Sequence, residues 1–428
     1  MPAFANPTLT NLPRPTSTPR WMHIDINSYF ATLLQQENPL LRNRPIGVVK
    51  DSGRSMIIAA SKEAKRKGVT SPSSLKDARR ICPDIVAVPV NFDVCLSAAK
   101  KLKELFESIA PNVNVFSLDE AFIDLSDCVQ FHPDAHVLAA TIQRRIKDEL
   151  GEWVTCNVGI GHTRLLAKMT GEVSPKGSIT EVTEDNKNVL LASVPFAAVC
   201  GVGYRLEERL KRIGVTNPLQ INFIPDEELI IHFGPFWSKE LRKIGQGEDT
   251  HFFMHPPKVS HMQSIGRSIT GYQLCNDEET IKKTLCNLTE EVIYKARRMN
   301  LAGRLVTVSF RGHDDGYWHG QLRLDHYIRH TSEMFDVVYN QLYKNWKRDF
   351  AIIKMKVGLA LLQPWDLTPQ LLWSEWHQRE QVALAVDKLT AKYGLFTVRS
   401  GVLLNTKLLR PEVTGFLGDK AFQFGRLA

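Results

Sequence analysis

Val113-Asn114-Val115-Phe116-Ser117-Leu118-Asp119-Glu120-Ala121-Phe122-Ile123-Asp124-Leu125 is the stretch whose reading decides the fold. Val113 to Leu118 and Ala121 to Leu125 are apolar, strand-like runs, which predicts a hairpin with the acidic pair Asp119-Glu120 between them. Adjacent like charges flanked by residues that favour burial repel each other and are costly to desolvate, so they need solvent, cations or both. Standing alone, the pair also fits a solvated turn. A third acid shifts the weighting: Asp25 interrupts the apolar run Trp21 to Ile26, where an uncompensated charge is unfavourable. If both runs join one sheet, the three acids converge. Hard oxygen ligands of this kind suit Mg²⁺ and a two-ion phosphoryl-transfer site, with structural salt bridges as the rival reading.

Outward from the hairpin, residues 29–36 read as a helix, Pro45 to Val49 and Met56 to Ala60 as short strands, and Lys62 to Lys67 as a basic segment. Leu96, Ala99, Leu102, Phe106 and Ile109 recur at helical spacing. Helix 135–150, strand 153–160 and helix 162–171 continue an alternation of strands and helices around one sheet. After about residue 182 the pattern is mostly helical, and Val199-Cys200-Gly201-Val202-Gly203 leads into Leu206–Leu210. Residues 250–263 have linker character. A second α/β unit follows: Ser264 to Tyr272, a helix near 277–299, strand 304–310, a loop of mixed polarity, helix 331–347 and strand 351–362. One amphipathic helix is expected near 374–392, and 428 residues suggest about two to four domains.

Lys plus Arg outnumber Asp plus Glu by 54 to 46, giving +8 and a pI near 9.0. That balance is compatible with a polyanionic partner without requiring one. The seven cysteines form no CxxC pairs, so neither zinc nor a disulfide framework is indicated; Cys82, Cys95, Cys156 and Cys200 read as small core residues. Residues 1–20 read as a flexible extension, no apolar run is long enough to span a bilayer, and a reducing cytoplasm fits.

His23-Ile24-Asp25-Ile26-Asn27-Ser28-Tyr29-Phe30-Ala31, together with Phe116 to Leu125, resembles the paired palm motifs of Y-family translesion DNA polymerases. Ala59 to Val69 resembles that family's finger motif, Val158 to Lys168 its next palm strand and helix, and Ser264 to Ser268 the entry to its little finger. These ordered motifs span about residues 22–360. The Asp-x-Asn form of the first motif looks more like the bacterial polymerase V branch than the polymerase IV branch.

The resemblance implies an α/β (α+β) right-hand polymerase with a ferredoxin-like palm (21–29 and 91–181), small fingers (30–90), a helical thumb with a helix-hairpin-helix (182–250), a linker (251–263), an α/β little finger (264–363) and a tail (364–428). It implies that Asp25, Asp119 and Glu120, with the carbonyl of Ile26, hold two Mg²⁺ ions for attack of a primer 3′-hydroxyl on a dNTP. Phe30 takes the position of the steric gate, although spacing alone would make it a core-facing helix residue. Tyr29, Lys62, Lys65 and Lys176 are the expected dNTP contacts. Here the chain departs from the family, with Ala59, Lys62 and Lys65 where many members have Thr, Tyr and Arg, and with Lys176 after Pro175 where a lysine usually precedes the proline. Lysine supplies a point charge but not the bidentate fork of arginine. Gly201 and Gly203 would let a DNA phosphate approach a helix N-terminus, and Arg267 and Arg304, with Arg297, Arg298, Arg311 and Arg323, are candidate phosphate contacts.

The implied partners are primer-template DNA and dNTP, with no membrane and a monomeric state. Gln363 to Leu367 resembles the peptide by which bacterial polymerases dock on the sliding clamp, while its composition reads as a linker. Low fidelity follows from the family alone. Two other readings are a catalytically silent DNA-binding paralogue that scaffolds a lesion-bypass complex, and another two-metal enzyme such as a nuclease. The three intact acids oppose the first, and Phe30 with the finger motif opposes the second.

Overall fold

The computed structural model describes residues 21–50, 56–128, 134–254, 262–313, 315–369, 374–394 and 396–404. The extension expected over 1–20 lies outside these residues, as do 255–261 of the expected linker and 405–428 of the tail. The chain forms two compact units that divide between residues 256 and 257.

In the first unit, strand β1 (Trp21–Ile26) is followed at Ser28 by a left-handed backbone (φ 52°) that turns the chain into helix α1 (Tyr29–Glu37). Strands β2 (Ile46–Val49), β3 (Met56–Ala60), β4 (Ser73–Ser74) and β5 (Val86–Pro89) make a four-stranded sheet in the order β4-β3-β2-β5. Helices α2 (Lys62–Arg66) and α3 (Leu75–Ile81) join Ala64 and Ala78 to its small core of Val49, Ile57 and Ala60.

Helix α4 (Phe92–Ile109), strands β6 (Val113–Val115) and β7 (Glu120–Asp124), helix α5 (Ala135–Leu150), strand β8 (Cys156–Gly161), helix α6 (Arg164–Val173) and strand β9 (Ile179–Glu181) complete a five-stranded sheet ordered β6-β7-β1-β8-β9. Alternation along β1 sorts its side chains: Met22, Ile24 and Ile26 are buried on one face, while Trp21, His23 and Asp25 share the face that α6 covers. The helix lies unusually close. A Cβ on Gly159 of β8 would stand 2.0 Å from the Ala167 carbonyl oxygen, so only glycine permits this approach.

Helices α7 (Lys187–Ser193), α8 (Tyr204–Arg212), α9 (Asp226–Gln246, interrupted at Gly234) and α10 (His251–Met254) share one core with α6 and Phe122. Residues 251–254, expected to begin a linker, are helical because Phe253 is an anchor. Its ring stacks on Phe116 at 6.0 Å and meets Phe122 edge-on at 5.7 Å, and burying such a side chain contributes about 1.5–3 kcal/mol.

The second unit sets helix α11 (Glu278–Arg298) and the helical segment that begins with α12 (Thr331–Asp336) against an antiparallel sheet. Its strands β10 (Ser264–Cys275), β11 (Leu301–Arg311), β12 (Tyr317–Ile328) and β13 (Ile352–Pro364) run in the order β10-β13-β11-β12. Strand β12 replaces the loop of mixed polarity expected from the sequence. Helix α13 (Ser374–Tyr393) joins this unit through two arginines, Arg297 to Asp387 at 2.7 Å and Arg329 to Glu380 at 3.0 Å. Gln363 to Leu367 is the end of β13 and a helical turn rather than a linker, and Leu367 is 67% exposed. Among the described residues no cysteine is in a disulfide; Cys82, Cys95 and Cys156 are buried, whereas Cys200 is only half-buried. No described helix is long and apolar enough to cross a membrane.

Candidate active site

β1 and β7 are antiparallel neighbours, and their register sets Asp25 directly opposite Glu120. The Ile26 amide donates to the Asp119 carbonyl at 3.0 Å, so the end of β1 and the tip of the hairpin are one place. All three acids are partly buried. Burial, with the charges of Asp119 and Glu120, pushes the Asp25 carboxyl up to about 8. Burial also raises Asp119, against a hydrogen bond donated by the Ser117 hydroxyl.

Glu120 behaves oppositely. Burial opposes its ionisation, but His23 and Lys168 overcome that and hold it at about 2. Its Oε2 accepts from His23 Nε2 at 3.1 Å and from the Lys168 ammonium, and the same carboxylate raises Lys168 to about 12 despite burial. The closeness of α6 to the sheet puts Lys168 there. Burial lowers His23, whose other ring nitrogen, Nδ1, is buried without a hydrogen-bond partner; the neutral ring with its proton on Nε2 satisfies Glu120 and leaves Nδ1 the bare acceptor.

The donor set suits a hard divalent cation: two acids opposite each other on adjoining strands and a third, Asp119, in the turn just before β7, with Asp25 so disfavoured as an anion that a cation would displace its proton. As the side chains stand, no three His, Cys, Asp or Glu among the described residues are gathered to hold a metal, and Glu120 is turned to His23 and Lys168.

Residues 24–172 match the impB/mucB/samB family model, and residues 262–370 match that family's C-terminal domain. A DNA polymerase IV of Alkalilimnicola ehrlichii is 30% identical over 295 residues, which cover 68% of this chain and 81% of that protein. This chain belongs to the Y family of DNA polymerases. A DNA polymerase IV of Moorella thermoacetica is 28% identical over 384 residues, 89% of this chain and 95% of that protein. A solved Y-family chimera of Dbh and Dpo4 superposes with a TM-score of 0.67 at 22% identity, covering 80% of this chain and 98% of the chimera, which supports the fold. These relatives are named polymerase IV, although the Asp-x-Asn motif pointed toward the polymerase V branch.

In this Y-family chain the residues expected to meet the dNTP separate into two groups. Lys65 donates to the Ser28 hydroxyl at 3.1 Å; burial and the nearby Lys176 lower it, while Asp25 and Asp119 act in the opposite sense, so Lys65 lies near these acids and Lys176 near Lys65. Lys62 instead lies 4.3 Å over the Trp153 ring, which also receives Arg42 at 5.2 Å. Tyr29 is buried, with its hydroxyl donated to the Cys95 carbonyl. Phe30, 9% exposed, sits one residue into α1 with its ring 6.4 Å from that of Phe92.

Of the expected DNA contacts, Gly203 caps α8 and has open space before it. Gly201 is needed for other reasons: its φ is +90°, and a Cβ would strike the Phe252 ring at 2.6 Å. Arg267 faces away from solvent. It pairs with Val357 in a row that points at the helices, and its Nε donates to Glu291 of α11 at 2.7 Å in a pair 5% and 6% exposed. Arg304 stacks over Tyr327 at 5.3 Å, and Arg297 is taken by Asp387. The opposite sheet face carries the rows Ser268-Lys356-Ser309-His319 and Thr270-Lys354-Arg311-Tyr317. Sequence reasoning missed Lys354, Lys356, His23 and Lys168. Two signals were available: the period-two pattern of β13 for the first pair, and for the others a histidine and a lysine at positions otherwise suited to a core.

Proposed function

We infer that the chain is a template-directed, low-fidelity DNA polymerase of translesion synthesis, extending a primer 3′-hydroxyl with dNTPs at Asp25, Asp119 and Glu120. The observation that carries this reading is the register of β1 and β7, which joins acids far apart in the chain at one solvent-reachable end of the sheet.

Bound there by Asp25, Asp119, Glu120 and the Ile26 carbonyl, two Mg²⁺ ions would supply charge stabilisation at the attacking and leaving oxygens. The chain's own residues do the rest. Lys65 and Lys176 hold the triphosphate by point charge, Phe30 closes the space a 2′-hydroxyl would need, and His23 fixes the direction of Glu120. The palm is built from 21–29 and 91–181, the fingers from 30–90, the thumb from 182–250 and the little finger from 264–363. Gly203 at the start of α8 offers backbone N–H groups to a phosphate, and the Lys354, Lys356 and Arg311 face of the second unit tracks the duplex backbone without reading sequence. Exposed Leu367 is the residue through which a clamp would engage the segment.

Primer extension by the purified chain with Mg²⁺ tests the assignment. Asp119→Ala and Glu120→Ala should retain fold and DNA binding and lose extension; extension retained in both removes these acids from the chemistry.

A further inference from the structure

Glu120 receives two donors on one oxygen. Both the His23 ring and the Lys168 ammonium reach Oε2 from beneath α6, in a setting where Lys168 is 9% exposed. An ammonium held on a carboxylate oxygen occupies ground that a divalent cation would claim. Glu120 is therefore committed to a lysine in this arrangement.

Lys168 also has a second partner within reach. Glu172 stands one turn further along α6, with Oε1 3.6 Å from the ammonium nitrogen and a side chain 38% exposed against 16% for Glu120. A rotation near the end of the lysine stem moves the charge from one carboxylate to the other. The helix itself need not move, and with Gly159 against Ala167 it has little room to do so.

We propose that Lys168 is a positioning residue that competes with the divalent cation for Glu120, neutralising that carboxylate when no metal is bound and transferring to Glu172 when one binds. The proposal rests on the reading of Asp25, Asp119 and Glu120 as metal carboxylates. Its physical basis is the repulsion among three partly buried acids, which the lysine relieves in the metal-free protein and which the cation relieves in its place.

The test is a Mg²⁺ titration of the whole chain, read by thermal melting without DNA and by primer extension. Competition predicts that Lys168→Met lowers the half-saturating Mg²⁺ concentration about fivefold in both readouts, the factor that one ion pair of about 1 kcal/mol represents, and lowers the metal-free Tm. Glu172→Gln removes the receiving carboxylate and should raise the half-saturating concentration. A lysine that only props Glu120 in place gives the reverse for Lys168→Met, and that result, or an unchanged value in Glu172→Gln, overturns the proposal. Should Lys168→Met fail to fold, Glu172→Gln decides alone. A wild-type chain whose melting and extension both ignore Mg²⁺ refutes the metal reading itself and takes the proposal with it.

Discussion

Asp25 and Glu120 stand directly opposite each other in the β1–β7 register, yet their carboxyls are held in opposite states, one pushed up to about 8 and the other down to about 2. Burial acts on both; the difference is that His23 and Lys168 donate hydrogen bonds to Glu120, whereas at Asp25 the charge of Lys168 is outweighed by burial and the neighbouring acids. Asp25 is thus the more disfavoured anion of the two and has more to gain from a metal. Asp25→Asn should lower primer extension more than about 100-fold, beyond the loss that an outer partner of a metal ligand causes, while leaving the far-UV CD spectrum unchanged. Extension at the wild-type rate would take Asp25 out of the chemistry.

The same shift sets a pH dependence. An acid whose pKa rises on folding from 3.8 to about 8 contributes stability that is present below the lower value and is lost as pH rises through the upper one. In EDTA the Tm should therefore fall between pH 6 and pH 9, and fall less in Asp25→Asn. Mg²⁺ competes with the proton for this carboxyl, so the rise in Tm on adding Mg²⁺ should be larger at pH 9 than at pH 6. Equal slopes for wild type and Asp25→Asn in EDTA would show that Asp25 is ordinary.

Sequence patterns made much of the first unit legible because its strands are buried and its acids interrupt them. The helix expected over 135–150 is α5, and the run Trp21 to Ile26 is β1. Strand β12 escaped because it lies at a sheet edge: Tyr317, His319, Gln321, Arg323 and Asp325 alternate with half-buried residues, which leaves no apolar run to detect. Arg267 was misjudged for a related reason. A motif names a residue without saying which side of a strand it takes, and only the pairing with Val357 shows that its row faces α11. Lys168 lay within a quoted motif, but its approach to Glu120 depends on the fit of α6 against β8, which no local pattern encodes.

That parity separates the arginine from the lysines in an experiment. Arg267→Ala leaves Glu291 charged and buried, which costs about 3–5 kcal/mol of stability, and should leave the salt dependence of DNA binding unchanged. Lys354→Ala with Lys356→Ala removes two charges from the open face and should reduce the slope of log affinity against log salt by about 2, with little effect on melting. A lowered slope in Arg267→Ala, measured by fluorescence anisotropy on several DNA sequences, would reverse the assignment.

Phe30 packs against the rings of Tyr29 and Phe92, so Phe30→Ala should lower Tm along with any effect on selectivity. The diagnostic quantity is the ratio of ribonucleotide to deoxyribonucleotide incorporation, in which a general loss of stability cancels. That ratio should rise at least about tenfold, since removing the clash lifts a penalty of the order of 1.4 kcal/mol or more. An unchanged ratio would make Phe30 a packing residue only.

The two lysines of α2 expected to share one role should prove different. Lys65 is exposed and reaches Ser28 near the acids, so its charge is available to whatever anion enters. Lys65→Ala should raise the KM for dNTP about tenfold with a smaller change in kcat, which is the mark of lost ground-state binding. Lys62 is engaged with Trp153, whose indole nitrogen donates to Gln35 in α1, and this contact ties α2 to the loop before β8. Lys62→Ala should therefore cost about 0.5–2 kcal/mol of stability through the lost cation–π contact and leave the dNTP KM within about twofold. Steady-state kinetics on both variants distinguish the roles, and equal KM effects would return Lys62 to the triphosphate.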